Sequence, residues 1–111
     1  MMQRVFFTDQ MAKAILDGKK TATTRDHQWS LGEKEACTGS WKVPASVKPF
    51  SVINVIDNRE NTWQHTIDNF KMEGFECIED FRRFLHDTGL QRYAREPHLY
   101  FHVFELVRKL G

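Results

Sequence analysis

The sequence predicts an α+β fold in which short strands curl into a barrel-like sheet with three helices packed on it. Three observations carry this. Residues Phe50 to Asp57 form a near-continuous β-branched run, and His98 to Val107 form an aromatic-rich one. Apolar residues recur at helical spacing before Gly18, after Thr66 and between Ile78 and His86. These strand and helix signals are intermixed, and the strand-like segments near the two chain ends must pair non-locally. A chain of 111 residues supports one hydrophobic core and is too short for two, so residues 1–111 read as a single domain. Hydrophobic and charged contents of 41% and 28% are those of a folded chain rather than a disordered one.

Taken in order, Arg4-Val5-Phe6-Phe7 reads as a short strand or an extended lead-in to a helix from Thr8 to Asp17. Thr8 is the expected N-cap, and Gly18 the residue that ends the helix with a positive φ. Thr21 to Arg25 is the next strand, and Asp26 to Gly32 a polar loop whose Trp29 either folds over a site or packs beneath it. Glu33 to Thr38 and Phe50 to Asp57 follow as strands, with Gly39-Ser40-Trp41, Pro44 and Pro49 marking a loop or irregular edge between them. Asp57 to Asn61 is a turn cluster. A helix from Thr66 places Ile67 and Phe70 on its inner face, and a second from Ile78 to His86 places Phe81, Phe84 and Leu85 there before Gly89 stops it. The last strand spans His98 to Val107.

The net charge of +1 lacks the basic excess of proteins that hold nucleic acid chiefly through phosphates, so DNA is not an expected partner. The balance favours a small ligand or a shape-selective RNA contact. Cys37 and Cys77 have no CxxC spacing and are expected as two buried free thiols. Of His27, His65, His86, His98 and His102, only the last two stand four residues apart, and they sit on one side of a predicted strand rather than on a helix, so no metal and no cofactor is expected. No apolar run reaches the length of a membrane span and no signal peptide is visible, which makes the cytoplasm the expected location.

The richest stretch chemically is Gly18-Lys19-Lys20-Thr21-Ala22-Thr23-Thr24-Arg25, where cations and hydroxyls follow directly on a helix end. On a strand, Thr21, Thr23 and Arg25 share one face. Guanidinium and ammonium groups beside hydroxyls suit an anionic or carbonyl-bearing ligand. The pattern Gly18-x-Lys20-x-x-Thr23-x-Arg25 resembles the ASCH domain, a relative of the PUA RNA-binding β-barrel. Leu31-Gly32-Glu33-Lys34, Glu73-Gly74-Phe75 with Ile78-Glu79-Asp80-Phe81, and Tyr100 to Leu106 fall where that resemblance expects them, so it spans almost the whole chain.

The resemblance is nearest to small bacterial ASCH proteins that hydrolyse N4-acetylcytidine to cytidine and acetate. It implies Lys20, Thr23 and Glu73 as catalytic residues, with Thr23 the nucleophile, Lys20 its base and Glu73 orienting the amine or shuttling a proton. The chemistry of the residues adds a substrate-binding set of Gly18, Lys19, Thr21, Arg25, Trp29 and Phe75, with the cations and hydroxyls facing a carbonyl or anion and Trp29 or Phe75 stacking on the base. Strict alternation places Lys20 and Thr23 on opposite faces, so the mechanism needs a bulge or a Lys20 that precedes the strand. Glu73 continues the line of Ile67 and Phe70 at three-residue spacing, and either faces Lys20 or drifts off the apolar stripe into solvent. A second function of another class stays open, that of a non-catalytic RNA- or nucleotide-binding module using the same cleft.

Overall fold

The computed structural model describes residues 2–39 and 48–110. Strand β1 (Arg4–Phe7) turns Val5 and Phe7 inward by simple alternation. Thr8 then caps α1 (Asp9–Leu16), its side-chain oxygen accepting the Met11 amide at 3.2 Å. The Ala14 carbonyl receives the amides of both Lys19 and Lys20, at 2.8 and 3.1 Å, and Gly18 at φ +77° makes that reversal possible. Strand β2 (Ala22–Arg25) therefore starts after Lys20, which lies in the turn ahead of it.

β3 (Gly32–Thr38) and β4 (Pro49–Asp57) follow. Pro49 opens β4 rather than belonging to the loop, at the strand position where a missing amide costs least. The loop expected around Ser40, Trp41 and Pro44 lies outside the described residues. Within the expected turn, Glu60–Asn61 form a short β5, which takes up the edge of the last strand, β6 (Leu99–Lys109), where β4 leaves it at Asp57 and Val103. Helix α2 (Trp63–Asp68) starts earlier than expected because Thr62 caps it through the His65 amide, and it stops before Glu73. Helix α3 (Ile78–Asp87) ends near Gly89 at φ +73°, and a 3₁₀ helix (Leu90–Arg95), absent from the sequence reading, leads to β6.

The sheet runs β1-β3-β4-β6-β2, parallel between β1 and β3 and antiparallel elsewhere, with β5 beside β6. It curls into a half-barrel whose two edges, β1 and β2, flank an open seam. One core cluster joins Val5, Phe7, Ile53, Val55 and Phe104 of the sheet to Met11 and Ile15 of α1 and Phe81, Phe84 and Leu85 of α3. Both cysteines are free thiols, but Cys77, at the start of α3, is only partly buried, which corrects the expectation of two buried ones. Among the described residues no helix is long and apolar enough to cross a membrane.

Candidate active site

Because Lys20 precedes β2, its side chain runs inward under the strand and is fully enclosed, at 0% exposure. Its Nζ donates to the Ala22 carbonyl at 2.8 Å, to the Glu73 carbonyl at 3.2 Å and to Glu73 Oε1 at 2.9 Å. Three donors meeting three acceptors is the geometry of an ammonium ion. Burial pulls the Lys20 pKa below its ordinary value, and the Glu73 carboxylate pulls back against that.

Glu73 is not on a helix. It sits in the helical turn beyond α2, its amide donating to the Asn69 carbonyl at 3.2 Å, and it is buried rather than solvated. Its second oxygen, Oε2, accepts from Thr24 Oγ1 at 2.8 Å, and Thr24 Oγ1 lies 2.6 Å from Thr66 Oγ1. An ionised carboxylate only accepts, so the Thr24 proton points to Glu73 and Thr66 donates to Thr24. The result is a continuous polar chain from Thr66 through Thr24 and Glu73 to Lys20.

Gly74 lets the Glu73 turn close on Lys20. It adopts φ +107°, and a Cβ there would lie 3.1 Å from Lys20 Cβ and 3.3 Å from Ala14 Cβ. Gly74→Ala is therefore expected to destabilise the fold by about 2 kcal/mol through backbone strain and crowding. Urea unfolding measures this, and an unchanged midpoint refutes the close packing of the two turns.

A cleft of about 530 Å³ opens along the seam between β1 and β2. Phe7, Thr24, Arg25, Trp29, Arg92 and Tyr93 are on its wall, and Thr24 is the member of the polar chain that reaches it. Arg25 bridges the seam by donating Nη2 to the Phe6 carbonyl at 2.9 Å, and its guanidinium carbon stands 5.1 Å and 5.0 Å from the ring centroids of Phe7 and Trp29. Burial lowers the Arg25 pKa, while Tyr93, Glu73 and Asp26 oppose that.

Trp29 packs beneath the cleft at 3% exposure, which resolves the choice its loop position left open. Its backbone amide donates to His102 Nε2 at 2.9 Å and its indole to His27 Nε2 at 3.2 Å. The other His27 nitrogen, Nδ1, is 2.9 Å from Asp26 Oδ1. His102, fully buried under Trp29, has its pKa pushed down to about 4, chiefly by burial.

Of the residues singled out in the sequence, Lys20 and Glu73 meet, and Arg25 and Trp29 share the cleft wall. Thr23 is buried on β2 beside Thr24, but the hydroxyl that binds Glu73 is that of Thr24. The remaining candidates stand elsewhere. Gly18 shapes the turn, exposed Lys19 pairs with Glu76 at 3.7 Å, and Thr21 gives its amide to the Met72 carbonyl at 2.8 Å. Phe75 stacks on Phe81 and Phe84 of α3, with centroids 5.0 and 5.1 Å away, rather than on the cleft. Sequence reasoning passed over Thr66, Tyr93 and Arg92. The hydroxyl of Thr66 could have been found as a polar group beside Ile67 on the buried face of α2. Among the described residues, no group of three His, Cys, Asp or Glu side chains is arranged to hold a metal.

No family model and no curated protein matches the chain. Solved structures do. A variant of the ZmASCH protein of Zymomonas mobilis superposes with a TM-score of 0.63 at 13% identity, over 97% of this chain and 73% of its own. The ASCH domain of Lactobacillus crispatus JV V101 gives 0.60 at 17% identity, over 96% of this chain and 79% of its own. A protein of Enterococcus faecalis V583 described by the family model DUF984 gives 0.60 at 16% identity, over 100% and 84%.

Proposed function

Starting from the α+β, PUA-like fold that this chain shares with ASCH domains, we propose that residues 1–111 act as one ASCH domain, in the cytoplasm, as an amidohydrolase that converts N4-acetylcytidine to cytidine and acetate. The observation that carries the proposal is the Thr24 hydroxyl, bound to a buried carboxylate at 2.8 Å on the wall of an aromatic cleft. A hydroxyl needs such a base to attack an amide at neutral pH. Lys20 has its three donors engaged and no free lone pair, so it serves to position Glu73 rather than to act as the base.

Thr24 Oγ1 attacks the acetyl carbonyl carbon as Glu73 takes its proton, and the carbonyl electrons move onto oxygen. Collapse breaks the carbon–nitrogen bond, Glu73 returns the proton to N4, and cytidine leaves. Water then attacks the acetyl ester with Glu73 again as base, and the proton restores the Thr24 hydroxyl as acetate departs.

The family resemblance gives the nucleophile's role to Thr23, and two variants separate the candidates. Thr24→Val is expected to lower turnover of N4-acetylcytidine, followed by chromatography, by about a hundredfold or more, the scale of a general-base contribution. Thr23→Val should stay within about threefold of wild type on the same scale. The reverse result returns the role to Thr23, and absence of turnover from the folded wild-type protein removes the amidohydrolase reading.

The second reading, a non-catalytic module for a nucleotide or an unstacked RNA base, draws on a specific feature. The Lys20 amine is sealed from the cleft and fully bonded, as a structural cation would be.

A further inference from the structure

The chain is nearly neutral overall, at +1, yet its cleft is not. Arg4, Arg25 and Arg92 all line it, and among the described residues on its wall Asp26 is the one carboxylate. That carboxylate is engaged with His27 Nδ1 at 2.9 Å. Arg4 has an ion-pair partner in Glu35, at 3.7 Å. For Arg25 and Arg92 the described residues supply none.

A guanidinium has five N–H donors in a planar fork. Arg25 makes one hydrogen bond, to the Phe6 carbonyl, and Arg92 makes one, through Nη1 to the Gly89 carbonyl at 3.0 Å. Both arginines and Tyr93 line the same cleft, and the Arg92 guanidinium carbon is 5.1 Å from the Tyr93 ring centroid. Arg25 is half-buried against Phe7 and Trp29, and Glu73 and Asp26 act on it only from beyond ion-pair distance, so its charge is incompletely compensated. An anion entering the cleft relieves that cost, and the fork geometry suits the oxygens of a phosphate.

We propose that the cleft binds its nucleoside as a phosphate ester, with Arg25 and Arg92 taking the phosphate. This rests on the reading of the cleft as a nucleoside site, and it narrows the ligand to a nucleotide, free or within an RNA strand. The phosphate group is the shared chemistry of both sources.

Isothermal titration calorimetry with cytidine and cytidine 5′-monophosphate tests it. Neither ligand carries an acetyl group, so the outcome is independent of turnover. The monophosphate is expected to bind about tenfold or more tighter than cytidine at low salt, the effect of charge-assisted contacts. That advantage should fall to about threefold or less in Arg92→Gln, and it should shrink as salt is raised while cytidine affinity holds. Arg25→Gln should act in the same direction, but Arg25 packs on the core, so the exposed Arg92 decides. Equal affinity for the two ligands, binding of neither, or an advantage undiminished in Arg92→Gln each overturns the proposal. A cytidine-centred trinucleotide that binds more tightly than the monophosphate assigns the site to RNA, and one that binds no better assigns it to the free nucleotide. A tenfold preference in a protein that leaves N4-acetylcytidine intact keeps the phosphate subsite and removes only the amidohydrolase.

Discussion

Glu73→Ala is expected to cost about 3–5 kcal/mol of folding stability, as breaking one side of a buried ion pair does. The reason lies in what remains. Lys20 stays enclosed with its positive charge and keeps only two carbonyl acceptors, and the Thr24 hydroxyl loses its acceptor as well. Urea unfolding followed by circular dichroism measures the loss. The double variant Lys20→Met with Glu73→Leu should recover much of the stability, because two apolar groups leave no charge uncompensated. It should recover no turnover, since the base is gone. A Glu73→Ala protein within about 1 kcal/mol of wild type would contradict the ion-pair account, because an unpaired buried charge cannot be that cheap.

The second large effect is a dependence of stability on pH that originates at His102. Its folded pKa of about 4 lies below the ordinary 6.5. Between those two values the unfolded chain takes up a proton that the folded chain refuses, so stability rises with pH across that window. The contribution is fully present above the unfolded value and is lost as pH falls toward 4, a change of about 3 kcal/mol. Burial is the main cause. Arg25 and His27 add to the depression, while the Thr23 backbone and Asp57 oppose it. The hydrogen bond tells the same story, since Nε2 accepts the Trp29 amide and a proton there would set donor against donor. In His102→Gln, which keeps an acceptor, the decline in unfolding free energy between pH 7 and 4.5 should be shallower than in wild type. Parallel declines in the two proteins would remove His102 as the source.

Local rules carried the reading where local rules govern the structure. Thr8 as a cap, Gly18 and Gly89 at helix ends, and the β-branched run of β4 are decided by a residue and its near neighbours, and they stand where the sequence puts them. The site was legible in part, and what escaped was non-local. Alternation along β2 separates Thr23 from Thr24, but which of them faces Glu73 is set by how the Lys20 turn is tied to Ala14 and Met72. Glu73 was readable as a carboxylate near an apolar stripe. Its burial depended on α2 stopping at Asp68 and on Gly74 allowing a tight approach, neither of which periodicity encodes. Phe75 follows Gly74 at φ +107°, and that turn sends its ring to α3 instead of the cleft. The arginines of the cleft were hidden for a similar reason, since a net charge averages over a surface and says nothing about where cations gather.

The sheet order has a consequence for how the protein is made. The ladder of β2, which carries Thr24 and Arg25, is formed with β6, whose partners lie roughly 80 residues further along the chain, a long loop to close before any contact rewards it. During synthesis β1, α1 and β2 leave the ribosome early, yet β2 has no strand to join until β6 emerges. Until then the cleft has one of its walls unsupported, and the segment from Lys20 to Arg25 is an exposed edge open to wrong partners. The newborn protein therefore acquires its site late and all at once, and a ribosome stalled before β6 would release a chain with no working fraction of it.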